Sequence, residues 1–429
     1  NYYKRTADAL LQDLLDAFGA VLIEGPKWCG KTTTASQLAN SILRMQDPSM
    51  REEYLATAKT KPSILLKGDT PRLIDEWQDA PMLWDAVRTT VDDRQIPGQF
   101  ILTGSNAVDK SQIHHSGAGR IARLRMLPMS LWESQESTGE VSLKELFNNP
   151  DYDIDGKMSK MTVEDLIFAA SRGGWPASLL ARTPKAQLLV AKNYVQTICS
   201  DDVSGIDGKK RDAKLTSMIL RAYARNVSTL VKKKSLLDDV TSSGEVSCHV
   251  DTFDDYVSAL EKLFVIQNIS AWCPAIRSKT AIRSSVKRCF CDPSIPIALL
   301  GLSPESLSMQ LRTFGFIFEQ MCIRDLKAYT IDLNSHVSYY HDRYDLEADI
   351  VLHLEDGRYA LIECKLGSGE IDEGAKHLLE LKRLIQEHNK TEKQVPIREP
   401  DLLIVMTGGT MAYSRPDGVK VIPLACLKD

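Results

Sequence analysis

The chain has 429 residues, 43% hydrophobic and 26% charged, and its 57 acidic and 53 basic side chains leave a net charge of -4. These proportions exclude collagen-like, fibrous and disordered chains, and without a global basic field any contact with DNA or RNA needs a local patch. No apolar run reaches the ~18 residues of a membrane span, and Asn1-Tyr2-Tyr3-Lys4-Arg5 has no signal-peptide core and no initiator Met, so the expectation is a cytoplasmic protein, away from membranes, with a trimmed start. At about 100 to 200 residues per domain, two or three domains are expected. The nine cysteines are scattered with no C-x-x-C pair, which points to free thiols rather than a disulfide framework or a zinc site.

In chain order, the apolar spacing of Leu10, Leu11, Leu14, Leu15 and Phe18 predicts a helix over 8–18, stopped by Gly19. Residues 20–24 form a short apolar run of the buried-strand type. Directly after it, Gly25-Pro26-Lys27-Trp28-Cys29-Gly30-Lys31-Thr32 matches G-x-x-x-x-G-K-[ST] in full, and Thr33 to Leu38 and beyond reads as a helix. The glycines let backbone amides turn toward phosphate oxygens at the start of that helix. Lys31 then reaches the β- and γ-phosphates, and the Thr32 hydroxyl ligates Mg²⁺. Residues Gly25 through Thr33 are therefore the candidate ATP-binding set, with ATP and Mg²⁺ as cofactors.

Hydrolysis also needs an acidic strand end. Pro71 to Gln78 supplies it: Asp75 is the expected Mg²⁺-side carboxylate and Glu76 the residue that orients the attacking water, although such a pair also suits an ordinary helix start. A clearer strand over 99–104 ends in small polar residues, placing Ser105 beside the γ-phosphate. The alternation of strands and helices predicts a parallel α/β sheet with the ligand at the strands' C-terminal ends.

Taken together, Gly25–Thr32, the Leu73-Ile-Asp-Glu-Trp-Gln run, Phe100-Ile-Leu-Thr-Gly-Ser, Gly119-Arg120 and the 123–130 segment resemble the prokaryotic AAA-type ATPases that carry a C-terminal domain of unknown function called DUF4143. The likeness extends through Gly173-Gly174-Trp175-Pro176 to the chain's end. It implies that Asp75 and Glu76 are the Walker B pair, that Thr103 to Ser105 form the sensor-1 region, and that a homo-oligomer can form. Arg120 falls where a phosphate-sensing or finger arginine sits, acting in its own chain or on a neighbour; its other reading is a surface ion pair.

Residues 148–156 have linker composition. They divide an expected ATPase domain (1–148) from a helical lid and winged-helix-like module (157–295), with a third domain at 305–429. In the middle module, helices are expected over 163–171, 185–198, 215–231 and 253–264, followed by strand-like 265–269. The winged-helix pattern suggests DNA contact, yet the would-be recognition helix carries Asp251, Asp254 and Asp255. Acids facing phosphates repel, so a packing or protein-contact role is the preferred reading despite the basic run Lys232-Lys233-Lys234.

The last third reads as a helix over 315–329 containing Glu319, strands over 337–340, 348–352 and 359–366, a hairpin turn at 355–358, a helix over 371–386 and a core strand over 401–406. Asp349 and Glu363 stand inside otherwise apolar strands, where an ionised carboxylate needs compensation. With Lys365 two residues beyond Glu363 on the same strand face, the set resembles the PD-(D/E)xK nuclease core, an α/β restriction-endonuclease-like fold. That likeness implies Asp349 and Glu363 sharing Mg²⁺, Lys365 positioning water, Glu319 as a helix-borne acid, and DNA or RNA as substrate. The other reading is a degenerate nuclease fold in which these groups form ion pairs. His114, His115 and the other six histidines show no metal-ligand spacing and read as loop or surface residues.

Overall fold

Apolar runs between polar turns build two large sheets, each belonging to its own compact unit of the chain, and a third sheet of only two strands. The structure, a computed structural model, describes residues 1–277, 279, 281–391 and 395–429. One unit comprises 1–128 with 259–265; the other comprises 129–258 with 266–429.

In the first unit the order is α1 (Ala7–Ala17), β1 (Ala20–Glu24), α2 (Lys31–Ser36), β2 (Ser41–Arg44), α3 (Arg51–Thr60), β3 (Arg72–Asp75), α4 (Met82–Arg94), β4 (Phe100–Gly104) and β5 (Ile121–Arg125). The five strands are all parallel in the order β2-β3-β4-β1-β5. Every residue of β1 and β4 is buried, as expected of central parallel strands covered on both faces. Leu22, Ile74 and Leu102 meet Trp77, Leu83, Trp84 and Val87 in the core. Because β4 lies between β1 and β3, the glycine loop after β1 and the acids after β3 stand two strand spacings apart, roughly 10 Å. Helix α2 ends at Ser36, short of the expected run past Leu38. Three consecutive threonines are poor helix formers, and Ser36 Oγ bonds back to the Thr32 carbonyl.

The second unit begins with β6 (Val141–Ser142), α5 (Leu143–Asn148), α6 (Val163–Arg172), α7 (Pro176–Leu180), α8 (Pro184–Thr197), α9 (Val203–Gly205), α10 (Ala213–Arg225), α11 (Lys233–Thr241) and α12 (Val250–Lys262), whose residues from 259 on count with the first unit. It continues with α13 (Ser294–Leu299), α14 (Pro304–Ser308), α15 (Leu311–Tyr329), β7 (His336–His341), β8 (Glu347–His353), β9 (Tyr359–Lys365), α16 (Ile371–Asn389), β10 (Leu402–Thr407), β11 (Tyr413–Ser414), β12 (Lys420–Pro423) and β13 (Leu427–Lys428). Its six-stranded sheet runs β11-β12-β10-β9-β8-β7. Strands β7, β8 and β9 are antiparallel neighbours, whereas β9, β10 and β12 are parallel, joined between β9 and β10 by α16. Where a strand was expected over 265–269, two antiparallel bridges pair Ile266 with Phe290 and Ile269 with Lys287. Lys233 of the basic run is ion-paired with Asp254 of α12.

Two expectations about organisation are corrected. The 148–156 stretch is not a free spacer: Ile154 is fully buried, Gly156 N–H donates to the Ala412 carbonyl, and Asp155 caps Ser414. Nor does the first unit extend to 148. β6 pairs with β13 at the end of the chain, Ser137 Oγ donates to the Leu427 carbonyl, and Leu131 N–H donates to Asp325 of α15. Composition marked a polar stretch, but the partners that bury it lie more than two hundred residues away.

Candidate functional site

The glycine loop leaves the C-terminal end of β1 and is held from outside by the N-terminal segment. Arg5 Nη1 donates to the Cys29 carbonyl and its Nη2 to the Leu127 carbonyl, both at 2.6 Å. Tyr2 Oη bonds to Asp8 and lies 3.0 Å from Thr34 Oγ1. The two glycines are needed where they stand. A Cβ on Gly25 would lie 2.3 Å from the Met126 carbonyl oxygen, and Gly30 has φ of 103°. Between them, Pro26 offers its carbonyl inward, Cys29 is buried, and Trp28 adopts a left-handed φ of 63° with its ring partly exposed beside Lys27. Lys31 is buried, with Nζ donating to the Pro26 carbonyl at 2.8 Å. Thr33 lies in the first turn of α2.

Thr32 Oγ1 donates to Asp75 Oδ1 at 2.6 Å, and Thr103 Oγ1 donates to the same oxygen at 2.7 Å. Thr103 Oγ1 also accepts from the Glu76 amide. Glu76 takes a left-handed conformation, φ 56° and ψ 53°, uncommon for a non-glycine and found where surrounding contacts over-determine the backbone. Its carboxylate accepts from Ser105 Oγ at 3.0 Å and from Gln78 Nε2. Thr32, Asp75, Glu76, Thr103 and Ser105 thus converge on the loop's edge of the sheet, and Arg5 and Gln78 join them as supports that motif spacing alone did not single out.

Arg120 does not join them. It precedes β5, and its carbonyl accepts from Ala20 N–H at the start of β1, one strand length (roughly 13 Å) from the glycine loop. Its guanidinium pairs with Asp92 at 2.7 Å, away from the glycine loop of its own chain. The arginine at the loop's edge of β5 is Arg125, 3.3 Å from Glu24.

The second unit holds another cluster. Continuing the β8–β9 register from the Ile350–Ile362 pair sets Asp349 opposite Glu363. Asp349 Oδ2 accepts from Cys364 N–H at 2.8 Å. Glu319 from α15 is buried and lies 3.2 Å from Lys287 Nζ, which also donates to the Asp349 carbonyl oxygen at 2.7 Å. Burial pushes the Glu319 carboxyl well up; Lys287 opposes this and Asp349 adds to it. Glu363 has no exposed surface, and burial followed by the charges of Asp349 and Glu347 raises its carboxyl well above the usual range. Lys365 lies 3.5 Å from Glu363; burial would lower its ammonium, but Glu363 and Asp349 outweigh burial and raise it. A cavity of about 840 Å³ opens on Glu319, Asp349 and Lys365, with Arg283, Lys287 and Arg312 among its walls. The size is that of a ligand pocket.

The surface reading of the histidines needs correction at His377. Its Nδ1 lies 3.9 Å from Glu363 Oε1 and 4.0 Å from Glu347 Oε1. Three elements supply these groups, so no local spacing in the sequence reveals them.

Residues 17–135 match the family model of an AAA domain, and residues 314–427 match a domain of unknown function, DUF4143. Residues 163–306 match a further domain of unknown function, DUF8612. Uncharacterised proteins of Mycobacterium tuberculosis (Rv2008c) and Mycobacterium bovis (Mb2031c) are each 24% identical over 366 residues, covering 83% of this chain and 72% of the relative. Among solved structures, the Walker-type ATPase PABY2304 of Pyrococcus abyssi is similar at a TM-score of 0.41 and 13% identity, covering 70% of this chain and 96% of that one. The ORC2 protein of Aeropyrum pernix has a TM-score of 0.30 at 12% identity, covering 74% of this chain and 93% of its own. Among the described residues, no helix is long and apolar enough to cross a membrane.

Proposed function

We propose that this protein, which joins an N-terminal AAA domain to a C-terminal DUF4143 domain, binds ATP with Mg²⁺ at the glycine loop, hydrolyses it, and couples the nucleotide state to a nuclease-like C-terminal domain that acts on DNA or RNA. The observation carrying the ATPase half is the junction of Thr32 and Thr103 on one oxygen of Asp75, with Glu76 held alongside by Ser105. Loop amides from Gly25 to Gly30 orient the phosphates. Lys31 exchanges the Pro26 carbonyl for a phosphate oxygen, a stronger partner for an ammonium. Thr32 and Asp75 hold Mg²⁺, which supplies neutralisation of the β- and γ-phosphate charge. Glu76 orients the attacking water and accepts its proton. A phosphate-sensing role for Arg120, remote from its own loop, would require a neighbouring subunit's nucleotide, and sizing with and without ATP tests that homo-oligomer. The test of the ATPase reading pairs equilibrium ATP binding with phosphate release. Lys31→Ala should abolish binding, Glu76→Gln should keep it while stopping turnover, and wild-type binding by Lys31→Ala overturns the reading.

For the C-terminal half, support comes from the element order α15-β7-β8-β9-α16-β10 together with Asp349 opposite Glu363 and Lys365 two residues on. In the restriction-endonuclease-like reading, Asp349 and Glu363 hold Mg²⁺ and Lys365 positions the attacking water. One observation favours the alternative, in which the DUF4143 domain is a non-catalytic interaction module: Lys287 already sits as a built-in cation against the Glu319 carboxylate, its ammonium also on the Asp349 backbone carbonyl. Cleavage assays on single- and double-stranded substrates, with and without ATP and Mg²⁺, separate the two. Activity lost in Glu363→Ala supports a nuclease, and a wild-type protein that cuts nothing under any nucleotide condition supports the interaction module.

A further inference from the structure

Glu363 is fully buried, and neither of its carboxylate oxygens has a hydrogen-bond partner. Lys365 approaches only Oε2, at 3.5 Å. The other oxygen faces His377 Nδ1 at 3.9 Å, a buried ring nitrogen that also lacks a hydrogen-bond partner. Glu347 Oε1 completes the group, and one atom from each of the three residues lies within 4.8 Å of the others. Two such atoms on a tetrahedral ion with bonds near 2.1 Å are ~3.4 Å apart, so the two imidazole contacts need to close by about 0.5 Å and the two carboxylates by at most about 1.4 Å.

The fold builds this arrangement. Glu347 and Glu363 come from neighbouring strands β8 and β9, and His377 comes from α16, which packs across them. Gly374 permits the approach: a Cβ there would lie 3.3 Å from both Glu363 Cβ and Lys365 Cγ. His377 follows three residues later, on the same helix face. Behind the group, His341 Nδ1 lies 3.8 Å from Glu347 Oε2, where an imidazole orients a ligating carboxylate.

We propose that Glu347, Glu363 and His377 bind a divalent cation of the Mn²⁺ or Zn²⁺ type. An imidazole beside two carboxylates suits these ions better than Mg²⁺ or Ca²⁺, which prefer oxygen alone. The set is not the Asp349–Glu363 pair of the nuclease-like reading. It shares Glu363 with that pair, requires no cleavage, and draws its third ligand from α16.

The test is Mn²⁺ binding by electron paramagnetic resonance on the full-length, nucleotide-free chain after chelator treatment. One ion per chain is expected, with affinity reduced by more than about 100-fold in Glu347→Gln and in His377→Gln. Binding of wild-type strength by His377→Gln, or no binding in the millimolar range, overturns the proposal. An ion lost in Asp349→Asn but kept in His377→Gln also overturns it, while leaving the nuclease-like reading standing. Should a variant fail to fold, pulsed measurements on the wild type decide: hyperfine coupling to a directly bound imidazole nitrogen is expected, and its absence sinks the site.

Discussion

Thr103 organises both acids beside the glycine loop at once. Its hydroxyl hydrogen goes to Asp75 and its lone pair receives the Glu76 amide, so one small side chain fixes the Asp75 carboxylate and the left-handed turn of its neighbour. Valine has the same shape without the hydroxyl. Thr103→Val should therefore lower ATP turnover by about 10- to 100-fold with ATP binding nearly kept, and Thr103→Ser should restore most of it; equal turnover in both variants would count against this role. In the helical part of the second unit, Arg211 is buried and grips Asp207 with two nitrogens while its Nε reaches Asp255. Those hydrogen bonds hold both carboxyls below the ordinary value of 3.8. A depressed folded-state value gives stability that is present above 3.8 and fades as pH falls through the lower value. Arg211→Leu should therefore cost about 2 kcal/mol at pH 7, and the difference from wild type in urea unfolding should shrink below about pH 4. A gap independent of pH would refute the ionic account.

At the scale of elements, α6 ends at Gly173-Gly174, where the chain passes another backbone at very close range. Gly174 accepts from Met129 N–H at 2.7 Å, and a Cβ on Gly174 would stand 2.3 Å from the Met129 carbonyl oxygen and 2.6 Å from its nitrogen. Backbone cannot give way as a side chain does. Gly174→Ala should destabilise the second unit by about 3 kcal/mol or more, read by thermal unfolding, whereas Gly156→Ala, with open space around its Cβ but a left-handed φ, should cost about 1. Strongly patterned elements were legible in the sequence: β1, β4, β8, β9, α15 and α16 come from continuous apolar runs or clear helical spacing. Strand β2 was not legible, because Ser41-Ile42-Leu43-Arg44 is too short to show a period. Thr32, by contrast, follows from a motif whose spacing is local. The approach of His377 to Glu363 depends on how α16 crosses the sheet, which no window of residues contains.

Across the whole molecule, the most consequential difference from the sequence reading is where the first unit stops. Residues 129–148 follow the ATPase sheet in the chain, and the AAA family match itself runs to 135. Their partners are nevertheless α15 and the chain's last residues. Leu131 and Trp132 amides donate to Asp325 and Tyr329, Thr138 N–H donates to the Ala425 carbonyl, and Ser142 Oγ donates to the Asp429 carbonyl. Leu131, Val141, Leu143 and Leu146 have no exposed surface. Amides secured in this way open only when their partners open, since protection follows the cooperative unit that supplies the bonds rather than proximity in sequence. Native-state hydrogen exchange at rising denaturant should therefore group 131–147 with β10 and β12, their opening free energies converging on one value. β1, β3 and β4 should converge on another. Were 131–147 to track β1 instead, the boundary near 128 would be wrong and the 1–148 division read from composition would be the physical one.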